Sequence, residues 1–102
     1  MPENPSLSST TAIVRNENFI EAEIDNEVVT LNIESGICHG LNRTGSRIWR
    51  LLASPIKIKD ICATLVNEYN VDPNDCERQV IDLLKEMQTE GLVRTADGEN
   101  ST

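Results

Sequence analysis

Apolar and polar residues alternate with period two along residues 19–24, which puts Ile20, Ala22 and Ile24 on one face and Glu21 and Glu23 on the other. Asp25-Asn26 follows, a pair that tolerates the left-handed backbone of a tight turn. Residues 28–33 resume the alternation, with Val29, Leu31 and Ile33 set against Thr30 and Asn32. Ser35-Gly36 offers a second turn, and Gly36 can take positive φ. Residues 37–41 form a third short strand whose own pattern does not show which face is buried. Three strands joined by short turns predict an antiparallel meander.

Beyond residue 43 the period changes from two to about 3.6. Ile48, Trp49, Leu51 and Leu52 mark a first helix over residues 44–53, capped at Asn42 or Thr44 and stopped by Ser54-Pro55. Trp49, the single tryptophan, is expected in the core with its indole N–H on a polar partner. Ile58, Ile61, Cys62, Leu65, Val66 and Tyr69 recur over three turns of a second helix that Asn70 closes. Asp72-Pro73 opens a third, a cap followed by the residue suited to the first helical position. Its stripe is Cys76, Val80, Leu84 and Met87 together with Leu83, and Gly91 stands where a C-terminal glycine belongs. Ile81 lies at the margin of that stripe, either a surface isoleucine or part of a groove. The fold class is α+β, winged-helix-like: a three-stranded antiparallel sheet followed by three helices.

The ends differ from the middle. Residues 1–11 are rich in Pro, Ser, Thr and Asn, and residues 95–102 contain one apolar side chain, Ala96. Both are expected to be disordered tails around one domain at 12–94. The 102 residues suffice for one core.

Charge narrows the function. Seventeen acidic residues against nine basic ones leave a net charge of −8, which disfavours phosphate backbones and anionic membranes and suits a protein partner. No apolar run of about 18 residues is present. No secretory signal is visible, and an odd number of cysteines makes no disulfide framework, so a cytoplasmic location is expected. Catalysis finds little material. His39 and Cys38 are adjacent in a strand and so point to opposite faces, which separates a Cys-His pair. Cys38, Cys62, Cys76 and His39 lack the C-x₂₋₄-C spacing that preorganises zinc ligands, and Cys62 and Cys76 fit apolar stripes. No glycine-rich phosphate loop occurs. The expectation is therefore no enzyme, no metal and no cofactor.

The run Leu41-Asn42-Arg43-Thr44-Gly45, followed by Ile48-Trp49 and Leu51-Leu52, resembles the L-N-x-T-G-x-x-I-W-x-L-L signature of PqqD-like proteins. Glu34-Ser35-Gly36, the stretch 61–69 with Val71-Asp72-Pro73, and Glu90-Gly91-Leu92-Val93 extend the likeness over residues 12–93. The resemblance implies a non-catalytic adaptor that binds the leader segment of a ribosomal precursor peptide and presents it to a modifying enzyme. That enzyme is expected to be a leader peptidase or a radical enzyme, and the lead-in at 12–18 looks more like the lasso-peptide type. The implied binding mode is addition of the leader as a strand beside the third strand, in the groove between it and the third helix. Carried onto this chain, it points to Ile37, Cys38, His39 and Gly40 on the strand. On the helix it points to Cys76, Val80, Ile81 and Leu84. Gly40 would let another backbone approach closely, and a free edge strand allows a monomer or a weak dimer. Two other readings stay open on sequence: a winged-helix DNA-binding regulator and a small metal or redox protein. The first is opposed by a third helix with Asp75, Glu77, Asp82, Glu86 and Glu90 against Arg78 and Lys85.

Overall fold

A computed structural model describes residues 7–96. In chain order the elements are β1 (Ala12–Arg15), β2 (Phe19–Ile24), β3 (Glu27–Asn32), β4 (Cys38–Gly40), α1 (Arg43–Leu51), β5 (Ile56–Lys57), α2 (Ile58–Tyr69), α3 (Pro73–Thr89) and β6 (Val93–Thr95). The expected meander is present as an antiparallel sheet in the order β2-β3-β4. Its two turns take the left-handed backbone their residues allow, with φ 54° and 69° at Asp25 and Asn26 and 76° at Gly36.

The α+β class holds, with a second sheet added to it. β1 is the centre of an antiparallel trio, β5-β1-β6, that ties the start of the chain to the helix connection and to the end of the chain. Strands of two to four residues are too short to show a period, so sequence pattern does not announce them.

This sheet draws flanking residues into the packed unit. The first N–H groups of α2 have no side-chain cap; instead Ile58 N donates to Thr11 O at 3.0 Å and Lys59 N to Ser9 O at 2.8 Å. Residues 7–11 therefore cap a helix with their backbone, and Leu7 and Thr11 are buried. At the other end Ala96 N donates to Ala12 O, and Ala96 is buried. The packed unit thus extends beyond 12–94 on both sides. The remainder of the two expected tails, residues 1–6 and 97–102, lies outside the described residues.

The helices form as their end signals require. Asn42 caps α1 by accepting from Gly45 N, and Asp72 caps α3 by accepting from Asp75 N, with Pro73 in the first turn. Asn70 ends α2 in the left-handed region, φ 57°. At the end of α3, Gly91 takes φ 79°, Gly91 N donates to Gln88 O and Leu92 N donates to Met87 O. That pair of bonds is a Schellman motif, and the buried Leu92 and Met87 supply its apolar contact. It reverses the chain into β6.

The core lies between α1, α2, α3 and the inner face of the meander, around fully buried Ile48, Trp49, Leu52, Ile61, Leu84 and Met87. Each such side chain contributes about 1.5–3 kcal/mol by leaving water.

The meander faces the core with the row that sequence would put outside. Cross-strand partners share a face, and Phe19, Glu21 and Glu23 stand opposite Asn32, Thr30 and Val28. Val28 and Thr30 are buried, whereas Ile20 and Ile24 are 55% and 60% exposed. An apolar row is ordinarily the buried one. Here α1 reverses the choice: Trp49 and Arg50 reach the inner row and hold Glu21 and Glu23.

Candidate functional site

The site that the fold builds is the free edge of β4 and the groove between it and α3. Among the described residues β4 is the last strand of its sheet, and its ladder is with β3: Val29 opposite Gly40, Thr30 opposite His39, Leu31 opposite Cys38. Asn32 N donates to Ile37 O at 2.9 Å and Leu41 N donates to Val28 O at 2.8 Å. In an antiparallel ladder, backbone groups of alternate residues point to alternate sides. Residues 37, 39 and 41 thus turn theirs to β3, and Cys38 and Gly40 turn theirs to the open edge. Such an edge can accept an added strand through backbone hydrogen bonds.

The edge is held from behind by α1. Ser46 is fully buried; its Oγ accepts from Val28 N at 2.7 Å and donates to Leu41 O at 3.0 Å, pinning β3 and the exit of β4 to the helix. Gly45 permits this approach, since a Cβ there would stand 3.3 Å from Asn42 Oδ1 and 3.5 Å from Leu41 Cβ. The L-N-x-T-G run is therefore a device for seating α1 against the sheet.

A groove of about 250 Å³ runs alongside. Gly40 and Leu41 form one wall, and Leu83, Glu86 and Met87 of α3 with its C-cap Glu90 the other. Apolar floor and acidic rim coexist: Met87 is buried, Leu83 half-buried, and Glu86 and Glu90 exposed. His39 points inward and its Nε2 lies 3.0 Å from Glu90 Oε1, bridging strand and helix.

A larger hollow of about 710 Å³ lies between α1, the end of α2 and the first half of α3, with Tyr69, Val71, Asp75 and Gln79 among its walls. It shares Asn42 and Leu83 with the groove as lining residues. The groove is the one that touches the open edge, which makes it the candidate site despite its smaller volume.

Of the strand residues picked out by sequence, Cys38 and Gly40 turn their backbone to the open edge, His39 and Gly40 line the groove, and Ile37, just before β4, is exposed. The helix residues separate. Leu84 is fully buried in the core, and Cys76 and Val80 are buried on the side of the larger hollow. Ile81 lies about 160° round the helix from Leu83 at roughly 100° per residue and faces a different depression with Glu77, Arg78 and Lys85. None of the four lines the groove beside β4. The residues that do are Leu83, Glu86, Met87 and Glu90, which recur every three to four positions and so share one face. Leu83 and Met87 were visible in the apolar stripe; the acidic pair beside them was the overlooked sign of a face bordering solvent.

Gly40 ends the cross-strand row that begins at Ala22 and Val29. Nothing lies within 4 Å of a Cβ built there, and its partner Val29 places that Cβ on the outer face of the sheet, away from the edge.

Cys38 is exposed and Cys62 and Cys76 are buried, and burial followed by the neighbouring Cys76 pushes the Cys62 thiol up to about 12, which keeps it protonated and inert at neutral pH. Among the described residues no group of three His, Cys, Asp or Glu side chains could hold a metal ion, and no helix is long and apolar enough to cross a membrane.

Comparison with known proteins places the chain in a family. The family model for coenzyme PQQ synthesis protein D (PqqD) matches residues 27–93. The chain belongs to the PqqD family. Among solved structures, TbiB1 in complex with the TbiA(beta) leader peptide is 33% identical with a TM-score of 0.74, over 79% of this chain and 94% of that one. Lasso peptide synthetase B1 complexed with its leader peptide is 26% identical with a TM-score of 0.72, over 80% of this chain and 96% of that one. A comparison with curated proteins finds no significant match. The PqqD match runs from the start of β3 to the start of β6, so it spans both walls of the groove.

Proposed function

We propose that this PqqD-family chain is a non-catalytic adaptor that binds the leader segment of a ribosomal precursor peptide as a fourth strand on β4. The observation that carries this is the open edge at Cys38 and Gly40 lying directly beside an apolar groove. The two similar structures, each a B1 protein complexed with a leader peptide, support the same use of this chain. Backbone pairing would supply affinity that depends little on sequence, and alternate leader side chains would enter the groove over Leu83 and Met87 and set specificity. Glu86 and Glu90 favour a leader with a basic residue near that point.

A free leader is flexible, and ordering it as a strand offsets part of the interaction energy. Once bound, its core segment is held close to a modifying enzyme at high effective concentration. A lasso-pathway leader peptidase is the favoured enzyme, and the cytoplasm, where precursor peptides are made, the favoured location. The leader groove uses Ile37, Cys38, His39 and Gly40 on the strand side, with Leu83, Glu86, Met87 and Glu90 on the helix side.

The test is fluorescence anisotropy of a labelled synthetic leader from the cognate precursor, titrated with this protein. Saturable one-to-one binding that Leu83→Glu weakens by roughly tenfold or more is the expected result. No binding to the cognate leader overturns the proposal.

A further inference from the structure

Among the described residues, the outer face of the meander is apolar and uncovered. Ile20, Leu31 and Cys38 make one row across the three strands, and Ala22 and Val29 lead the next, ending at Gly40. Ile20, Ala22, Ile24 and Cys38 are exposed, and Ile33 in the adjoining turn is 59% exposed. Contiguous apolar surface of this kind on a small protein marks an interaction site more often than chance exposure does.

The charge around it restricts what can cover it. Residues 16–42 contain six carboxylates, Glu17, Glu21, Glu23, Asp25, Glu27 and Glu34, and no lysine or arginine. Glu21 and Glu23 turn inward and are held by Arg15 and Arg50. The other four form no ion pair among the described residues and lie in and beside the turns that border the apolar face. A second copy of the chain would bring two such acidic borders together, on molecules that each carry a net charge of −8. An edge or face kept monomeric by its own repulsion is open to a partner of the opposite sign.

We infer that this face docks a different protein, one presenting an apolar patch bordered by lysine and arginine. Resting on the leader-binding reading above, that protein is the modifying enzyme. The geometry also couples the two events. A leader paired to β4 is the fourth strand of the same sheet, so every second side chain of it joins the outer face that carries Ile20, Leu31 and Cys38. The enzyme then meets one continuous surface made partly of protein and partly of leader, and it binds the loaded adaptor more tightly than the empty one.

The experiment pairs two measurements on full-length protein and on Ile20→Asp and Ile24→Asp variants, whose positions are exposed enough to accept a charge without unfolding. One is leader affinity by anisotropy. The other is binding of the purified leader-processing enzyme from the same gene cluster, by sedimentation with and without leader. The expected result is unchanged leader affinity with enzyme binding weakened by roughly tenfold or more, and a wild-type complex that weakens as salt is raised. Variants that bind enzyme like wild type, or a wild type that binds leader but no enzyme, overturn the docking face and leave leader recognition standing. A wild-type dimer that Ile20→Asp dissociates overturns the choice of partner. Failure of the wild type to bind leader at all would instead remove the reading on which this one rests.

Discussion

Trp49 donates its indole Nε1–H to Glu21 Oε1 at 2.8 Å, and this bond joins the core helix to the inner row of the meander. Phe19 meets the same indole edge-on at 6.0 Å between ring centroids, and the Arg15 guanidinium lies 4.8 Å from its centre while also pairing with Glu21. One tryptophan thus collects an aromatic, a cation and a carboxylate from β1 and β2. The consequence reaches the far side of the sheet, where the isoleucine row is left in solvent.

Glu21→Leu removes the acceptor and leaves both the indole N–H and Arg15 unpaired. Glu21 is half exposed, so water can replace part of the loss, and the expected cost is about 1 kcal/mol, the low end for an unsatisfied polar group. Glu21→Gln keeps an acceptor and should cost less. Urea denaturation followed by Trp49 fluorescence measures both.

Ser46→Ala orphans a buried Val28 N–H and a part-buried Leu41 C=O together. The expected destabilisation is about 2–4 kcal/mol, from roughly 1–3 kcal/mol for each group. Thr30 is the opposite case. It is fully buried and its hydroxyl has no hydrogen-bond partner. Thr30→Val replaces that hydroxyl with a methyl of similar size, and denaturation should find the variant equal to wild type or up to about 1 kcal/mol more stable.

The thiols should divide by place. At pH 8, Cys38 reacts quickly with a thiol reagent, while Cys62 and Cys76 react only after unfolding; three fast thiols would contradict the packing of α2 on α3. Cys62 also makes stability depend on alkali. Its folded pKa is raised to about 12 by burial and by Cys76, so its contribution is complete below the ordinary thiol range near about 8.5 and is lost as pH climbs toward 12. Cys62→Ala should flatten that alkaline decline.

At the acid end the linked group is Glu68. Arg47 Nε and Nη2 donate to its two oxygens at 3.0 and 2.6 Å, joining α1 to α2, and this bond holds the Glu68 carboxyl below its usual range. A depressed carboxyl stabilises the fold above its unfolded pKa, and that contribution disappears as pH falls through the folded value. Wild type and Glu68→Gln should therefore differ in stability at neutral pH and converge in acid.

Local chemistry made much of this fold legible. The Asp72-Pro73 start, the Asn70 and Gly91 stops and the Asp25-Asn26 turn each act through their own backbone, and each appears where sequence puts it. What sequence concealed depends on distant partners. Glu21 and Glu23 face inward because Trp49 and Arg50, more than twenty residues away, receive them. Residues 7–11 are ordered by carbonyls that cap α2, and a polar composition says nothing about carbonyls. At the site, the open edge followed from strand order, but the rotation of α3 did not. Packing on α2 fixes Cys76, Val80 and Leu84 inward and turns Leu83, Glu86 and Glu90 toward β4.

Strand addition makes a residue-by-residue claim about β4, and amide hydrogen exchange followed by NMR tests it most directly. In the free protein the His39 amide, bonded to β3, should exchange slowly and those of Cys38 and Gly40 quickly. Saturating cognate leader should slow Cys38 and Gly40 and leave His39 nearly unchanged. Leader that binds while Cys38 and Gly40 keep their free exchange rates would contradict recognition at this edge.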